Sequence, residues 1–358
     1  MIYIHIPFCK SFCTYCAFYS EIAAKGCFEK YTDEVCQEIR RRKDEFKGSL
    51  RTLYCGGGTP SLLPLPSLTK ILLTLEEIGQ GGPYEEFTME VNPDDIIEKG
   101  TAYVSGLMSL GVNRISIGVQ SFDDELLRSL NRRHDAAAAE KAFHIVREAG
   151  VKNISLDLIF GINGMSVESW RTTVEKALSL HPDHISCYQL SIDEGSELYN
   201  RLEDGTYTEA PEEECRAQYD LLCSLCAEAG FHHYEISNFA VPGREALHNT
   251  GYWLREPYVG LGPGAHSLSG AVRSWNSSRL DNYSSESEYL DDAEVRLESI
   301  MLPLRTDLGI AAPVLEGKCE KEAIDKLLGM GALVLENGHY RIPEDHFFVS
   351  DEIIRELI

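Results

Sequence analysis

The sequence predicts an α/β protein: a partial (β/α)6 TIM-like barrel, a loop-rich extension after it, and a small C-terminal winged-helix-like domain. Three observations predict it. Short β-branched runs alternate with longer stretches of helical periodicity as far as residue 230, the pattern of repeated β-α units around a parallel sheet. Polar residues recur where those runs end, which is where a β/α barrel collects its chemistry. From residue 231 the periodicity weakens, and from residue 291 helical stretches and a hairpin signal return. With 358 residues and 43% hydrophobic content, the chain can bury a large core in one big domain and a smaller one.

Candidate strands are Ile2–Ile6, Arg51–Cys55, Glu86–Val91, Asn113–Val119, Asn153–Ile159 and His184–Leu190. Between them, Phe28, Tyr31, Val35 and Ile39 make one apolar stripe at helical spacing, and Ala138 to Ala149 and Glu214 to Ala229 behave similarly. These units assign residues 1–230 to the barrel. Residues 231–290, rich in His, Gly, Asn, Tyr and Ser, form the loop-rich extension. Residues 291–358 hold helix candidates at Ala293–Met301 and Lys321–Met330, then two short strands flanking Asn337–Gly338, a pair suited to a type I′ turn. A last helix is expected with Ser350 as its N-cap.

The formal net charge of −24 repels polyphosphates, and no Lys/Arg-rich run offsets it, so nucleic acid is not an expected partner. No run of about 18 apolar residues exists. The N-terminus, M-I-Y-I-H-I-P-F, carries no basic stretch or cleavage site, so the chain is expected to be cytoplasmic without a transmembrane segment, peripheral membrane contact staying open. Eleven cysteines then fit a reducing compartment, where clustered thiols bind metal or do redox chemistry more often than they form disulfides.

The run C-K-S-F-C-T-Y-C places Cys9, Cys13 and Cys16 within eight positions on the loop that leaves the first strand. A [4Fe–4S] cube normally takes four thiolates. Three leave one iron open, able to chelate the amino and carboxylate groups of S-adenosylmethionine (SAM) and to pass the electron that cleaves its sulfonium to a 5′-deoxyadenosyl radical. Structural zinc with His5 as fourth ligand is the alternative, and it requires bending the strand that carries His5. Tyr15, just before the last cysteine, fits an aromatic lid over adenine. The C-x-x-C at Cys223 and Cys226 sits in an apolar helical stretch and reads as core, because a buried free cysteine behaves as a small hydrophobe.

Polar residues mark the strand ends. After the second strand comes G-G-G-T-P, Gly56 to Pro60, where missing side chains let backbone groups approach a ligand closely. Glu90 ends the third strand, Gln120 the fourth, and Asp157 lies in the fifth. Arg132, in L-N-R-R-H, can meet a carboxylate as a bidentate partner.

Taken together, Y-I-H-I-P-F-C-x3-C-x2-C, G-G-G-T-P, E-V-N-P, S-I-G-V-Q-S and L-x-R-x-H make the chain resemble the oxygen-independent coproporphyrinogen III oxidase-like radical SAM family over nearly its whole length. The resemblance implies a radical SAM barrel with Cys9, Cys13 and Cys16 as cluster ligands. It implies that Gly57, Gly58 and Thr59 line the methionine part of SAM, and it puts Tyr3, Tyr15, Glu90, Gln120, Arg132 and Asp157 at further SAM positions, Arg132 toward the carboxylate.

Two features point to the HemW branch, regarded as heme chaperones, rather than to the true oxidases. Phe18 stands where the oxidases carry a fourth cysteine, and only Met1 precedes Ile2 where they carry an extension. The segment H-N-T-G-Y-W, His248 to Trp253, matches the branch signature H-N-x-x-Y-W. His248 is then the implied heme contact, with Tyr252 and Trp253 as an apolar wall, and His232, His233 and His266 are its rivals. The implied cofactors are a [4Fe–4S] cluster, SAM and heme, and the implied partner is an acceptor hemoprotein. A radical SAM enzyme acting on a porphyrinogen is the alternative. Where the family commonly reads G-L-P-G-Q-T, this chain has G-I-N-G-M-S from Gly161 to Ser166, which leaves that loop's role open.

Overall fold

In the computed structural model, which describes residues 1–48 and 50–358, all six candidate strands form. They are β1 (Ile2–Ile6), β2 (Thr52–Gly57), β3 (Glu86–Val91), β4 (Arg114–Gln120), β5 (Ile154–Phe160) and β6 (His184–Gln189). They pair in parallel and in chain order. The connections carry α1 (Cys27–Arg41), α2 (Leu65–Glu77), α3 (Pro93–Ser109), α4 (Ala136–Glu148) and α5 (Val167–Ser179). Side chains alternate along a strand, and that alternation sorts the residues. Ile4, Leu53, Phe87, Ile115, Leu156 and Ile185 are fully buried beneath the helices. Their neighbours Tyr54, Glu90, Ser116, Asp157 and Ser186 face a central cleft instead. Tyr31, Val35 and Ile39 are buried on one face of α1, as their spacing requires.

Residues 231–290 hold more regular structure than their composition suggests. After α6 (Glu212–Glu228) come β7 (His232–Glu235) and β8 (Asn238–Ala240), a hairpin that adds to β6 in the antiparallel sense. Helix α7 (Leu247–Trp253) follows, and then β9 (Val259–Leu261) pairs in parallel with the free edge of β1. The sheet order is therefore β9-β1-β2-β3-β4-β5-β6-β8-β7. A further three-stranded antiparallel sheet contains β10 (His266–Ser269), β11 (Val272–Asn276) and β12 (Ser285–Tyr289). Strands of three to five residues span too few positions to establish a period, so composition masked them.

The C-terminal part runs α8 (Asp292–Met301), β13 (Ile310–Ala311), α9 (Ala312–Glu316), α10 (Lys321–Gly329), β14 (Val334–Glu336) and β15 (His339–Arg341). With β13 and β14 both paired to β15, this is the order of a winged helix. Asn337 and Gly338 both adopt positive φ, 51° and 79°, as a type I′ turn demands. The expected cap at Ser350 is not used. A 3-10 turn (Glu344–Val349) runs straight into α11 (Ser350–Arg355), so Ser350 is already helical and the cap position falls to Val349. No helix among the described residues is long and apolar enough to cross a membrane.

One buried ion pair fastens the extension to the barrel. Glu38 of α1 accepts hydrogen bonds from Arg42 Nη1 (2.7 Å), the Gly262 amide (2.8 Å), Asn276 Nδ2 (2.8 Å) and the Tyr283 hydroxyl (2.7 Å). Arg42 in turn reaches the Gly260 carbonyl at 2.7 Å and Ser267 Oγ at 3.0 Å. Arg42 also holds Glu45 at 2.7 Å, so it keeps a counter-charge when Glu38 is lost, but the Gly262 amide, Asn276 and Tyr283 lose their buried acceptor. Glu38→Ala is expected to destabilise the chain by about 1–3 kcal/mol, read as a lowered urea midpoint.

Candidate cofactor site

A cleft of about 800 Å³ opens at the carboxyl ends of the barrel strands, and Cys9, Cys13 and Cys16 all line it. The loop carrying them is pinned from several sides. The Thr14 amide donates to the Leu130 carbonyl at 3.2 Å, and the Leu198 amide donates to the Thr14 carbonyl at 2.7 Å. Asn131 Nδ2 donates to the Phe12 carbonyl at 2.6 Å. Between the first two cysteines, Lys10 pairs with the buried Asp95 at 2.8 Å. Gly58 leaves no slack beside the loop: a Cβ there would stand 2.9 Å from the Phe8 carbonyl oxygen and 3.1 Å from Cys9 Sγ. Gly57 has φ +114° and would meet His5 at 2.7 Å, so both positions need glycine.

A chain of polar contacts joins two of the thiols across the cleft. Thr59 Oγ1 donates to Cys9 Sγ at 3.6 Å, and Asn92 Nδ2 donates to Thr59 Oγ1 at 3.2 Å. Arg132 closes the chain through Nη2 to Asn92 Oδ1 (2.8 Å) and to the Gly118 carbonyl (2.7 Å), and through Nη1 to Cys13 Sγ (3.3 Å). Its Nε stays without a partner. Three of its five N–H donors are thus used, which fixes the guanidinium in the cleft and leaves two for a ligand carboxylate. Burial pushes the Cys16 thiol up to about 11 and raises Cys9 as well, so ligation of a metal centre displaces protons from this loop.

Deeper in, Glu90 accepts from the Tyr54 hydroxyl at 2.6 Å and from the Gly57 amide at 3.2 Å, and burial pushes its carboxyl up to about 7. Asp157 accepts from Ser116 Oγ at 2.7 Å, and burial raises it too. Gln120 sits at φ +67°, immediately after a register shift against β5. The irregularity ends the ladder and holds a non-glycine residue in the left-handed region, a strained arrangement at the rim of a binding cleft.

Of the residues singled out from sequence, Cys9, Cys13, Cys16, Tyr15, Gly57, Gly58, Thr59, Glu90, Gln120, Arg132 and Asp157 all line this one cleft. Tyr3 does not. Its hydroxyl meets His5 Nδ1 at 3.0 Å and its ring lies under Gly56, so it supports the glycine turn from behind. His5 Nε2 meets the Tyr19 carbonyl at 2.8 Å; with both ring nitrogens engaged, His5 is no fourth zinc ligand. His248 stands apart from this cleft. Its ring is fully buried, Nδ1 meets Thr52 Oγ1 at 2.8 Å and Nε2 meets the Tyr252 hydroxyl at 2.9 Å, which leaves no lone pair facing a ligand. Thr52 opens β2, so this histidine belongs to the amino-terminal end of the barrel, away from the cysteines. Cys226 is buried in the core, and Cys223 lies 3.9 Å from His233 Nδ1.

Sequence reading missed Tyr54, Asn92, Arg114, Ser116 and Asn249, all of which line the cleft. The signal for four of them was strand parity, since Asn92 follows Glu90 by two positions, Tyr54 precedes Gly56 by two, and Arg114 and Ser116 share the face of Gln120.

A three-thiol loop beside a ligand-sized cleft at the mouth of a parallel barrel is the arrangement of a radical SAM protein, and the model of the Radical SAM superfamily matches residues 3–177. The heme chaperone HemW of Bacillus subtilis is 36% identical over 283 residues, covering 78% of this chain and 74% of that protein. HemW of Lactococcus lactis is 32% identical over 335 residues, covering 91% and 86%. The chain belongs to the HemW family within the radical SAM superfamily. The fold is shared with coproporphyrinogen III oxidase (HemN) of Escherichia coli, a radical SAM enzyme, at a TM-score of 0.81 and 19% identity over 99% of this chain and 89% of that one.

Two outcomes test the site. Gly58→Ala is expected to push the cysteine loop outward and to lose most of the iron and sulfide taken up on anaerobic reconstitution, measured per chain. Glu90 titrates near 7 when folded against an ordinary 4.5, so the native state holds its proton the more tightly between those values. Stability should therefore fall as pH rises through that window, and Glu90→Gln should flatten the slope of the urea midpoint across it.

Proposed function

We propose that this chain is a cytoplasmic heme chaperone in which a [4Fe–4S] cluster and SAM, seated at the barrel mouth, govern transfer of heme to an acceptor hemoprotein. The observation that carries the reading is the 36% identity to a heme chaperone over 74% of its length, joined to a cleft lined by three cysteines and a fixed guanidinium. When bound together, the cluster supplies one electron to the SAM sulfonium. The remaining roles belong to the chain. Cys9, Cys13 and Cys16 hold the cluster, the Gly57–Gly58–Thr59 turn takes the methionine part of SAM, Arg132 takes its carboxylate, and Tyr15 covers the adenine. Glu90, Gln120 and Asp157 complete the SAM cleft, while Tyr3 backs the turn.

Because His248 is enclosed and bonded at both nitrogens, the heme contact passes to His266. This ring is exposed and stacks on Trp275, with centroids 6.2 Å apart and planes 30° apart. Burial of one side and the nearby Arg273 lower its pKa, so at neutral pH it presents an uncharged imidazole able to ligate iron. His232 is instead held by Glu245 at 3.3 Å and Asp307 at 2.8 Å.

Titration of the purified protein with hemin should give a saturable Soret shift. His266→Ala is expected to weaken it roughly tenfold or more, about 1.4 kcal/mol, while His248→Ala lowers thermal stability and leaves the Soret position in place. Unchanged affinity in His266→Ala would remove that residue from the reading. Formation of protoporphyrinogen IX from coproporphyrinogen III under anaerobic conditions would replace the chaperone with an oxidase.

A further inference from the structure

The cleft reaches far below the level of the cysteines. Arg114 opens β4 and Gln120 closes it, so about 20 Å of strand separates them at ~3.3 Å per residue, and both line the same cleft. Arg114 is among the largest fully buried side chains of the molecule, with 1% of its surface exposed. No hydrogen bond or ion pair reaches its guanidinium among the described residues, and its Nε is wholly without a partner. A buried cation with idle donors is costly unless something else satisfies it.

The acids nearby are already engaged elsewhere. Glu86 accepts the Leu247 and His248 amides at 2.9 and 3.0 Å, which seats α7 across the amino-terminal end of the barrel. Asp157 is held by Ser116, and Glu90 by Tyr54 and Gly57. Glu86 and Asp157 therefore act on Arg114 through space, without direct contact. Asn249, next to His248 on α7, brings an amide into the cleft from this same end. Arg114 lies opposite Thr88, two residues along the strand from the Glu86 that holds this helix, so both reach the same end of the barrel.

We propose that Arg114 and Asn249 form a second ligand subsite at the floor of the barrel, binding the carboxylate of an anionic small molecule that lies beneath SAM. The guanidinium offers a planar pair of donors to a carboxylate, and the Asn249 amide offers a further donor at its side. The placement rests on the proposed function in one respect, that SAM fills the Arg132 end of the cleft. It also gives the H-N-x-x-Y-W segment of this chain a position: His248 and Glu86 seat the helix, and Asn249 is the residue it delivers into the cleft.

The test uses propionate as the probe, titrated calorimetrically into anaerobically reconstituted, SAM-saturated protein. Wild type should show saturable single-site binding, and Arg114→Lys should bind at least tenfold more weakly, because lysine keeps the charge and loses the fork. Asn249→Asp, nearly isosteric, should weaken binding to a similar degree by setting a like charge against the probe, so the test survives if the arginine variant fails to fold. Equal affinity in all three proteins, or no saturable binding by wild type, overturns the subsite. SAM-induced change in the cluster EPR signal, recorded on the same samples, reports separately on the barrel mouth, and the propionate result decides the floor whichever way that signal falls.

Discussion

Every second residue of a parallel strand points into the barrel, and in this chain those positions are polar: Tyr54, Glu90, Arg114, Ser116, Asp157 and Ser186 all face the interior. The residues between them carry the core, packing outward against the helices. Polar groups taken out of water must find partners, so the interior is wired together. His184, wholly buried, meets Ser155 Oγ at 2.9 Å through Nδ1 and the Tyr234 hydroxyl at 2.8 Å through Nε2. That hydroxyl accepts the Ala246 amide at 3.1 Å, just before α7. The inward face is thus both the wall of the ligand cleft and the scaffold that positions the helix closing its floor.

The same wiring rule operates at the other end. The cysteine loop has little regular structure beyond the short pairing of Phe8–Cys9 with Glu21–Ile22, and its shape is imposed by contacts with four separate connections of the barrel. Arg132 is central because one side chain touches a cysteine, a strand-end carbonyl and Asn92 at once. The glycines of the G-G-G-T-P turn matter for the room they leave, since the backbone of the loop and the His5 ring occupy the space that Cβ atoms would need.

The barrel was legible in the sequence because its strands are five to seven residues long and bounded by strong helical stripes. The three cysteines stood out because thiols at such fixed spacing have few other uses, and all three line one cleft. What sequence could not give is the direction a side chain faces once tertiary contacts decide it. His248 has the chemistry of a heme ligand, but two hydrogen bonds enclose it, one from Tyr252 on its own helix and one from the distant Thr52. Glu38 carries no such signal in the sequence. Its position, seven residues after Tyr31 and three after Val35, puts it on the buried stripe, and only the partners from residues 260 to 283 explain why a carboxylate belongs there.

The pairing of β9 with β1 has a consequence for how the molecule is made. Ile2 lies opposite Val259, so β1 gains one neighbour when β2 appears and waits for the other until some 250 further residues have been translated. Until then one rim of β1 is an open template for stray strands. The three-cysteine segment continues directly from that strand, and nascent chains therefore carry its three free thiols beside an unfinished border.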